Sequence, residues 1–402
     1  MPAPLHRVAA AVAAEGLTLV KAIPRSATQL SLELRRPDGG LLAGQWFADP
    51  GEALAVHAQT ARAAPAAGVQ LLPGGVLLQP GGADRRLPGL GPVAAAHGAS
   101  LVAHRPERRA VVRVSPPRDH RAGPGPRPQA ETTYVKLVRP RRLDRTVTGA
   151  RLAVAGVVTP MLRAVDEELG AVTFTELPGR TLFDLLGDPR TTDAHLVTVS
   201  SAVGDALRRL HRTTVAAPLP RHDVATELDV ARRWVHLAAE HQLLGRRAAD
   251  LHHRLDQAAD ELAAARTEPA LLHRDLHDKQ LLLDGTDVGL LDFDLAAFGD
   301  PALDVANLLT HLQLRTLQGR CSGERARACA TAVLEGYGHR SGDWQRRLAA
   351  YRTTAQVRLV CVYAFRPAHA AAAAELLTAP PGPARTRRQP PPSASGPAGR
   401  AS

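Results

Sequence analysis

Two aspartates and a glutamine between them are the side chains of this sequence best placed to do chemistry together. His273-Arg274-Asp275 follows two apolar residues, and Gln280 stands five positions beyond Asp275. Asp292 opens the triplet Asp292-Phe293-Asp294, seventeen positions after Asp275. A carboxylate able to take a hydroxyl proton, an amide oxygen and a second carboxylate are what phosphoryl transfer with a magnesium ion requires. They can converge only if the chain between them folds back. Leu281 to Leu283 and Val288 to Leu291 are short apolar runs, and Asp284-Gly285 between them is a turn signal. The pattern predicts a hairpin that brings Asp275 and Asp292 to one end of one sheet. The plainer alternative is a buried hairpin whose acidic tips are simply solvated.

The run His273-Arg274-Asp275-Leu276-His277-Asp278-Lys279-Gln280 resembles the catalytic loop, H-x-D-x-x-x-x-N, of the aminoglycoside phosphotransferase and choline kinase group, relatives of the protein kinases. Asp292-Phe293-Asp294, then Gly299-Asp300-Pro301 and Asp304, resembles the metal-binding segment and following helix start of that group. The resemblance implies that Asp275 is the base for the acceptor hydroxyl and that Gln280 and Asp292 hold Mg²⁺. Gln280 departs from the usual Asn and offers the same carbonyl oxygen one methylene further out. The implied fold is α+β and bilobal, protein-kinase-like, with a small β-rich N-lobe and a larger helical C-lobe. The implied activity is a small-molecule kinase that uses ATP. Asp300 and Asp304 read as structural acids that brace the loop and start a helix at Pro301. Asp294 either reaches a metal or hydrogen-bonds the loop.

The elements that position these groups can be followed along the 402 residues, a length that suits two or three structural units. Residues 1–83 carry an alternating strand at Leu30, Leu32 and Leu34, the turn Asp38-Gly39-Gly40 and a returning strand to Phe47. They form a β-rich cap or the first part of one continuous domain. The order strand, turn, strand, helix in residues 28 to 64 echoes residues 107 to 157, with Trp46 falling near Lys136. Residues 84–177 read as the N-lobe. Thr133 to Val138 is an alternating strand, and Lys136 is one of only three lysines among 50 basic residues. Where composition favours Arg so strongly, a lysine suggests a role that a guanidinium cannot fill. The resemblance implies that Lys136 meets the ATP phosphates and that Glu176 and Leu177, before Pro178-Gly179, lie at the adenine-binding hinge. The first turn of this lobe, His104 to Arg109, lacks the glycines of a phosphate-covering loop. Arg105 and Arg108 are expected to grip phosphate in their place. The acid that would pair Lys136 is also missing, with Asp144 the one nearby carboxylate. The Pro-, Gly- and Arg-rich insert from Ser115 to Glu131 reads as a mobile loop. Residues 178–378 are helical apart from the central hairpin, and residues 379–402 read as a disordered Pro/Arg-rich tail.

Composition excludes some functions. The net charge of +11 invites a nucleic-acid reading, yet residues 105 to 151 hold thirteen Lys/Arg against four acids, and the tail from Pro380 adds four Arg. The remainder is slightly negative. That basic block either steers an anionic ligand or forms a solvated face. Aromatics are 3% and show no base-stacking pattern, so nucleic acid is not expected as a partner. Three cysteines without a C-x-x-C, no signal-peptide layout and no long apolar stretch lead to the expectation of a cytoplasmic protein without a membrane span. The helical region carries Arg346, Arg347, Arg352, Arg358 and Arg366 and no acidic cluster. The expected acceptor is a neutral or anionic hydroxylated metabolite such as a sugar, in preference to an aminoglycoside. Two other classes remain open: a pseudokinase that binds nucleotide or a partner without turnover, and a basic nucleic-acid binder.

Overall fold

The computed structural model describes residues 3–116, 131–152, 157–216, 218–264, 267–338 and 342–378. The expected mobile insert and the expected disordered tail lie mostly or wholly outside the described residues. The fold is α+β, with two five-stranded sheets in the N-terminal part and a helical C-terminal part.

The first 80 residues build α1 (Pro4–Ala14), β1 (Thr18–Ser26), β2 (Gln29–Arg35), β3 (Leu41–Phe47), α2 (Pro50–Ala63), β4 (Gln70–Leu72) and β5 (Val76–Gln79). Asp49 caps α2 by accepting the Glu52 N–H, and Pro50 occupies the first helical position, where a missing N–H costs nothing. The next segment builds α3 (Leu90–Ala94), β6 (Ala99–Arg105), β7 (Arg109–Val114), β8 (Thr133–Val138), α4 (Leu143–Ala150), β9 (Leu162–Asp166) and β10 (Ala171–Thr175). The two sheets have the same order, β1-β2-β3-β5-β4 and β6-β7-β8-β10-β9, each with a helix after its third strand.

Backbone geometry fixes how the two units correspond. Phe47 N–H donates to Gly75 C=O at 3.0 Å, and Val138 N–H donates to Gly170 C=O at 2.9 Å. Both glycines have positive φ, 79° and 63°. A Cβ there would stand 2.3 Å from the Phe47 oxygen or 2.5 Å from the Val138 oxygen, so glycine is required at both places. Phe47 therefore matches Val138, and Gln45 matches Lys136. The sequence echo had set Trp46 near Lys136; the register moves the match by one residue, which in a strand changes the face.

The helical part contains β11 (Arg180–Thr181), α5 (Leu182–Gly187), α6 (Asp193–Arg212), β12 (Arg221–His222), α7 (Val224–Glu240), α8 (Arg247–Ala263), β13 (Ala270–Leu272), β14 (Leu281–Asp284), β15 (Asp287–Leu290), β16 (Ala297–Gly299), α9 (Ala302–Leu317), α10 (Gly323–Tyr337), α11 (Gly342–Ala364) and α12 (Ala370–Ala374). Its core joins α6, α9 and α10 through Leu207, Leu210, Leu308, Leu312, Val333 and Tyr337. The first sheet does not stand apart from this region. Leu30, Leu32, Leu34, Trp46 and Leu78 share one apolar cluster with Val235 of α7, Leu251 of α8 and Val357 of α11. Ala22 N–H also donates to Phe365 C=O at 2.8 Å.

The hairpin β14–β15 forms around Gly285 at φ 58°, with Asp284 opposite Asp287. It belongs to the sheet β11-β14-β15, whereas β13, which leads to Asp275, belongs to β12-β16-β13. The expectation of one shared sheet is corrected: two small sheets meet, because β13 pairs with β16 rather than with its neighbour in sequence.

Candidate functional site

The loop from His273 to Gln280 is shaped by its backbone hydrogen bonds. Asp304, at the start of α9, accepts the His273 N–H at 2.7 Å and the Arg274 N–H at 2.8 Å. Arg274 has φ 70°, a conformation that side chains other than glycine rarely adopt, and Asn307 Nδ2 holds its carbonyl at 3.2 Å. Asp304 is fully buried, and burial alone would raise its pKa. A hydrogen bond from His211 and the nearby His273 outweigh that and hold it below the ordinary carboxylate range. Asp278 is locked by Arg315, whose Nε and Nη2 donate at 2.6 and 2.8 Å in a bidentate pair.

Two hydrogen bonds join this loop to the next one. His273 Nε2 donates to the Leu291 carbonyl at 2.7 Å, and Leu291 N–H donates to the Gln280 carbonyl at 3.0 Å. Gln280 is thereby placed beside the residue that precedes Asp292. Asp275 is half-buried, and among the described residues no side-chain hydrogen bond occupies its carboxylate. Asp292 has φ 64°, a second left-handed residue at the same place.

Lys136 reaches this point from the second sheet. Its Nζ lies 2.8 Å from Asp292 and 2.7 Å from Asp294, with its side chain only 10% exposed. Arg109 Nη1 adds a contact to Asp292 at 3.1 Å. Burial disfavours the charge on Asp292, but Lys136 and Arg109 hold its carboxyl well below the usual range. The partner suggested for Lys136, Asp144, is exposed on α4; the lysine pairs with Asp292 and Asp294 instead. Arg109 was not singled out in the sequence. The register could have found it, since Val111 faces Lys136 and Arg109 points to the same side two residues along.

Arg105 and Arg108 flank a closed turn. Glu107, at φ 58° and 2% exposed, lies 2.7 Å from Arg85, 3.4 Å from Arg139 and 3.5 Å from both Arg25 and Arg86. Its N–H donates to Asp84 at 2.6 Å. The buried Nε atoms of Arg105 and Arg108 have no hydrogen-bond partner among the described residues. Burial, and then the charges of Arg108, Arg109, Arg25 and Arg142, pushes Arg105 down to about 10. Glu176 follows β10; its N–H donates to Thr132 C=O at 3.3 Å and its carboxylate accepts from Tyr134 at 3.2 Å. Leu177 packs towards Gly289 of β15. Neither comes together with the Asp275 group.

The chain is 28% identical over 178 residues to an N-acetylmuramate/N-acetylglucosamine kinase of Pseudomonas putida, covering 43% of this chain and about half (50%) of the relative. Among solved structures, a choline/ethanolamine kinase family protein from Mesorhizobium loti is similar at 14% identity over 72% of this chain and 93% of its own, with a TM-score of 0.48. A macrolide 2'-phosphotransferase from Brachybacterium faecium is similar at 20% identity over 73% and 98% of the two chains, with a TM-score of 0.44. The family model described as "Phosphotransferase enzyme family" matches residues 94–351, which include β6 to β10, the loop 273–280 and Asp292, and the chain therefore belongs to that family.

Proposed function

We propose that the protein moves the γ-phosphoryl group of Mg-ATP to a hydroxyl of a small molecule, with a sugar or related metabolite as the acceptor class. The observation that carries this reading is the Lys136–Asp292 contact, made between the second sheet and the loop beside Gln280, with an unengaged Asp275 carboxylate on the same loop. Asp275 takes the hydroxyl proton as the new O–P bond forms. The bond between the γ-phosphorus and its bridging oxygen breaks, and ADP leaves. Lys136 and Arg109 meet phosphate charge from the sheet side. Arg105 and Arg108, half-buried without a carboxylate of their own, are suited to an anion whose charge would offset the repulsion among the arginines here. Glu176 C=O and Leu177 N–H, which have no partner among the described residues, suit the adenine edge. Gln280 and Asp292 are the residues that would hold Mg²⁺. One amide oxygen and one carboxylate fit a hard cation that takes its other ligands from water and phosphate. When bound, the ion would neutralise charge on the transferring phosphoryl group. The sugar preference is supported by the P. putida relative, whose name gives N-acetylmuramate and N-acetylglucosamine as acceptors.

Release of ADP from Mg-ATP across a panel of hydroxylated compounds tests the reading. Asp275→Ala is expected to abolish transfer while leaving nucleotide binding intact, and Asp292→Ala to weaken Mg-dependent ATP binding. Gln280→Asn keeps the carbonyl and is expected to be tolerated, whereas Gln280→Ala is not. Near-normal turnover in Asp275→Ala would remove that residue from the base role. A second reading, nucleotide binding without turnover, is favoured by the turn pinned at Glu107, which closes the place of a flexible phosphate-covering loop. Tight Mg-ATP binding with no ADP release on any acceptor would select it.

A further inference from the structure

The five arginines between residues 346 and 366 have different fates. Arg347 is held by Asp300 at 2.7 Å, Arg358 donates to Asn307 at 2.7 Å, Arg352 donates to Gln313 at 3.3 Å, and Arg346 pairs with Asp343. Arg366 has no carboxylate partner among the described residues, and its guanidinium lies 3.9 Å from the centre of the Tyr363 ring. A second cation of this kind is Lys279, four residues after Asp275 on the same loop. Its Nζ sits 4.2 Å above the Phe183 ring and likewise has no acid within ion-pair distance.

The two cations share one basin. Arg315 stands between them: its guanidinium lies 4.9 Å from the centre of the Phe183 ring that Lys279 covers, and its Nη1 donates at 3.1 Å to the hydroxyl of Tyr363, whose ring Arg366 covers. Two acids of this region are already engaged: Asp278 is bound by Arg315, and Asp184 lies 3.6 Å from Arg320. The floor joins the basin to the reacting end of the loop. Lys279 N–H donates to His277 Nδ1 at 3.1 Å, and the His277 ring lies 4.9 Å from that of His311. Asp275 stands two residues before His277 on the same loop. Cations gathered without acids of their own repel one another, and a ligand that brings negative charge to them relieves that repulsion.

We propose that Lys279 and Arg366 form a subsite for an anionic group, a carboxylate or a phosphate, on the acceptor whose hydroxyl faces Asp275. The placement of the hydroxyl rests on the phosphotransferase reading given above; the anion preference rests on the basin itself. The subsite narrows the acceptor from any hydroxylated metabolite to an acidic one, such as a sugar acid or a sugar phosphate.

Binding measured by calorimetry on the full chain, without nucleotide, separates the two ideas. The probes are matched pairs: glucuronate and glucose, N-acetylmuramate and N-acetylglucosamine, glycerate and glycerol, with glucose 6-phosphate as the phosphate arm. The expected result is that at least one anionic member binds about tenfold or more tighter than its neutral partner. Lys279→Met and Arg366→Gln should each remove that preference, while Arg346→Gln, on the same helical region but paired with Asp343, keeps it. Whether the carboxylate or the phosphate arm binds tighter identifies the source of the charge. Equal affinities within every pair, no measurable binding of any anionic member, or a preference that survives both substitutions would overturn the proposal. If the preference holds but Mg-ATP yields no ADP with the preferred acid, the phosphotransferase reading fails and the anion subsite stands.

Discussion

The two N-terminal sheets have one topology and opposite chemistry. In the second, Arg109 and Lys136 are the positions that reach out of the sheet to Asp292. In the first, the matching positions are Gln29 and Gln45, by the same register against Phe47 and Val138. These glutamines satisfy each other: Gln29 Nε2 donates to Gln45 Oε1 at 3.2 Å, and Gln45 Nε2 donates to Gln79 Oε1 at 3.1 Å. Two cations need carboxylates from elsewhere and so connect their sheet to a site. Two amides close on themselves and leave their sheet with packing alone. The helix-facing layers correspond as well, Phe47 and Leu77 in one sheet with Val138 and Val172 in the other. On its other face the first sheet is joined to α7, α8 and α11, so it acts as a brace between the second sheet and the helices. Arg25 of β1 extends that brace to the Glu107 turn.

The comparison breaks most directly at its two equivalent positions. Lys136→Ala is expected to lower kcat/KM on the order of a hundredfold to a thousandfold, since the charge it supplies lies in a water-poor cleft. Lys136→Arg should also be impaired, because a planar fork does not replace a point charge. Steady-state kinetics on an identified acceptor measure both; wild-type values for Lys136→Arg would return this lysine to a structural role. Next in size is Glu107→Gln, which leaves four arginines around a neutral amide and should cost about 3 kcal/mol in urea unfolding. A loss below about 0.5 kcal/mol would show that the turn is not held by charge. Gln45→Leu should cost only about 1–2 kcal/mol through the amides it strands, with kcat unchanged. A fall in kcat there would mean that the first sheet shares in the chemistry.

The smallest effect concerns the joint between brace and helices. His241 on the α7 side donates to Ser26 C=O at 2.9 Å and lies edge-on to Trp46 and Phe365. Burial holds its pKa below 6.5 despite the Ser26 hydrogen bond. In the window just below 6.5 the unfolded chain takes up a proton that the folded chain refuses. Stability is therefore full above that pH and falls as pH drops towards the lowered value. His241→Phe should flatten this dependence without removing it, because His277 and His311 are shifted the same way. An unchanged slope in thermal melts between pH 7 and about 5 would show that His241 does not carry the acid sensitivity.

Much of this was legible in the chain, and each legible part is local. The spacing of His273, Asp275 and Gln280, the turn at Gly285 and the alternation around Lys136 all involve residues within a few positions of one another, where backbone sterics and side-chain period leave little choice. The sequence by itself therefore determined the loop, the hairpin and the lysine-bearing strand. It could not determine partners across long separations. Lys136 and Asp292 are 156 positions apart, and Arg109 and Asp292 are 183. Which carboxylate receives the lysine, why Asp144 does not, and how Glu107 gathers arginines from β1 and from the segments on either side of its own hairpin depend on how the layers dock. The one-residue shift from Trp46 to Gln45 has the same origin. A hydrophobic pattern shows that a strand exists, but only the hydrogen bonds to Gly75 and Gly170 fix its register, and with it which side chain faces the site.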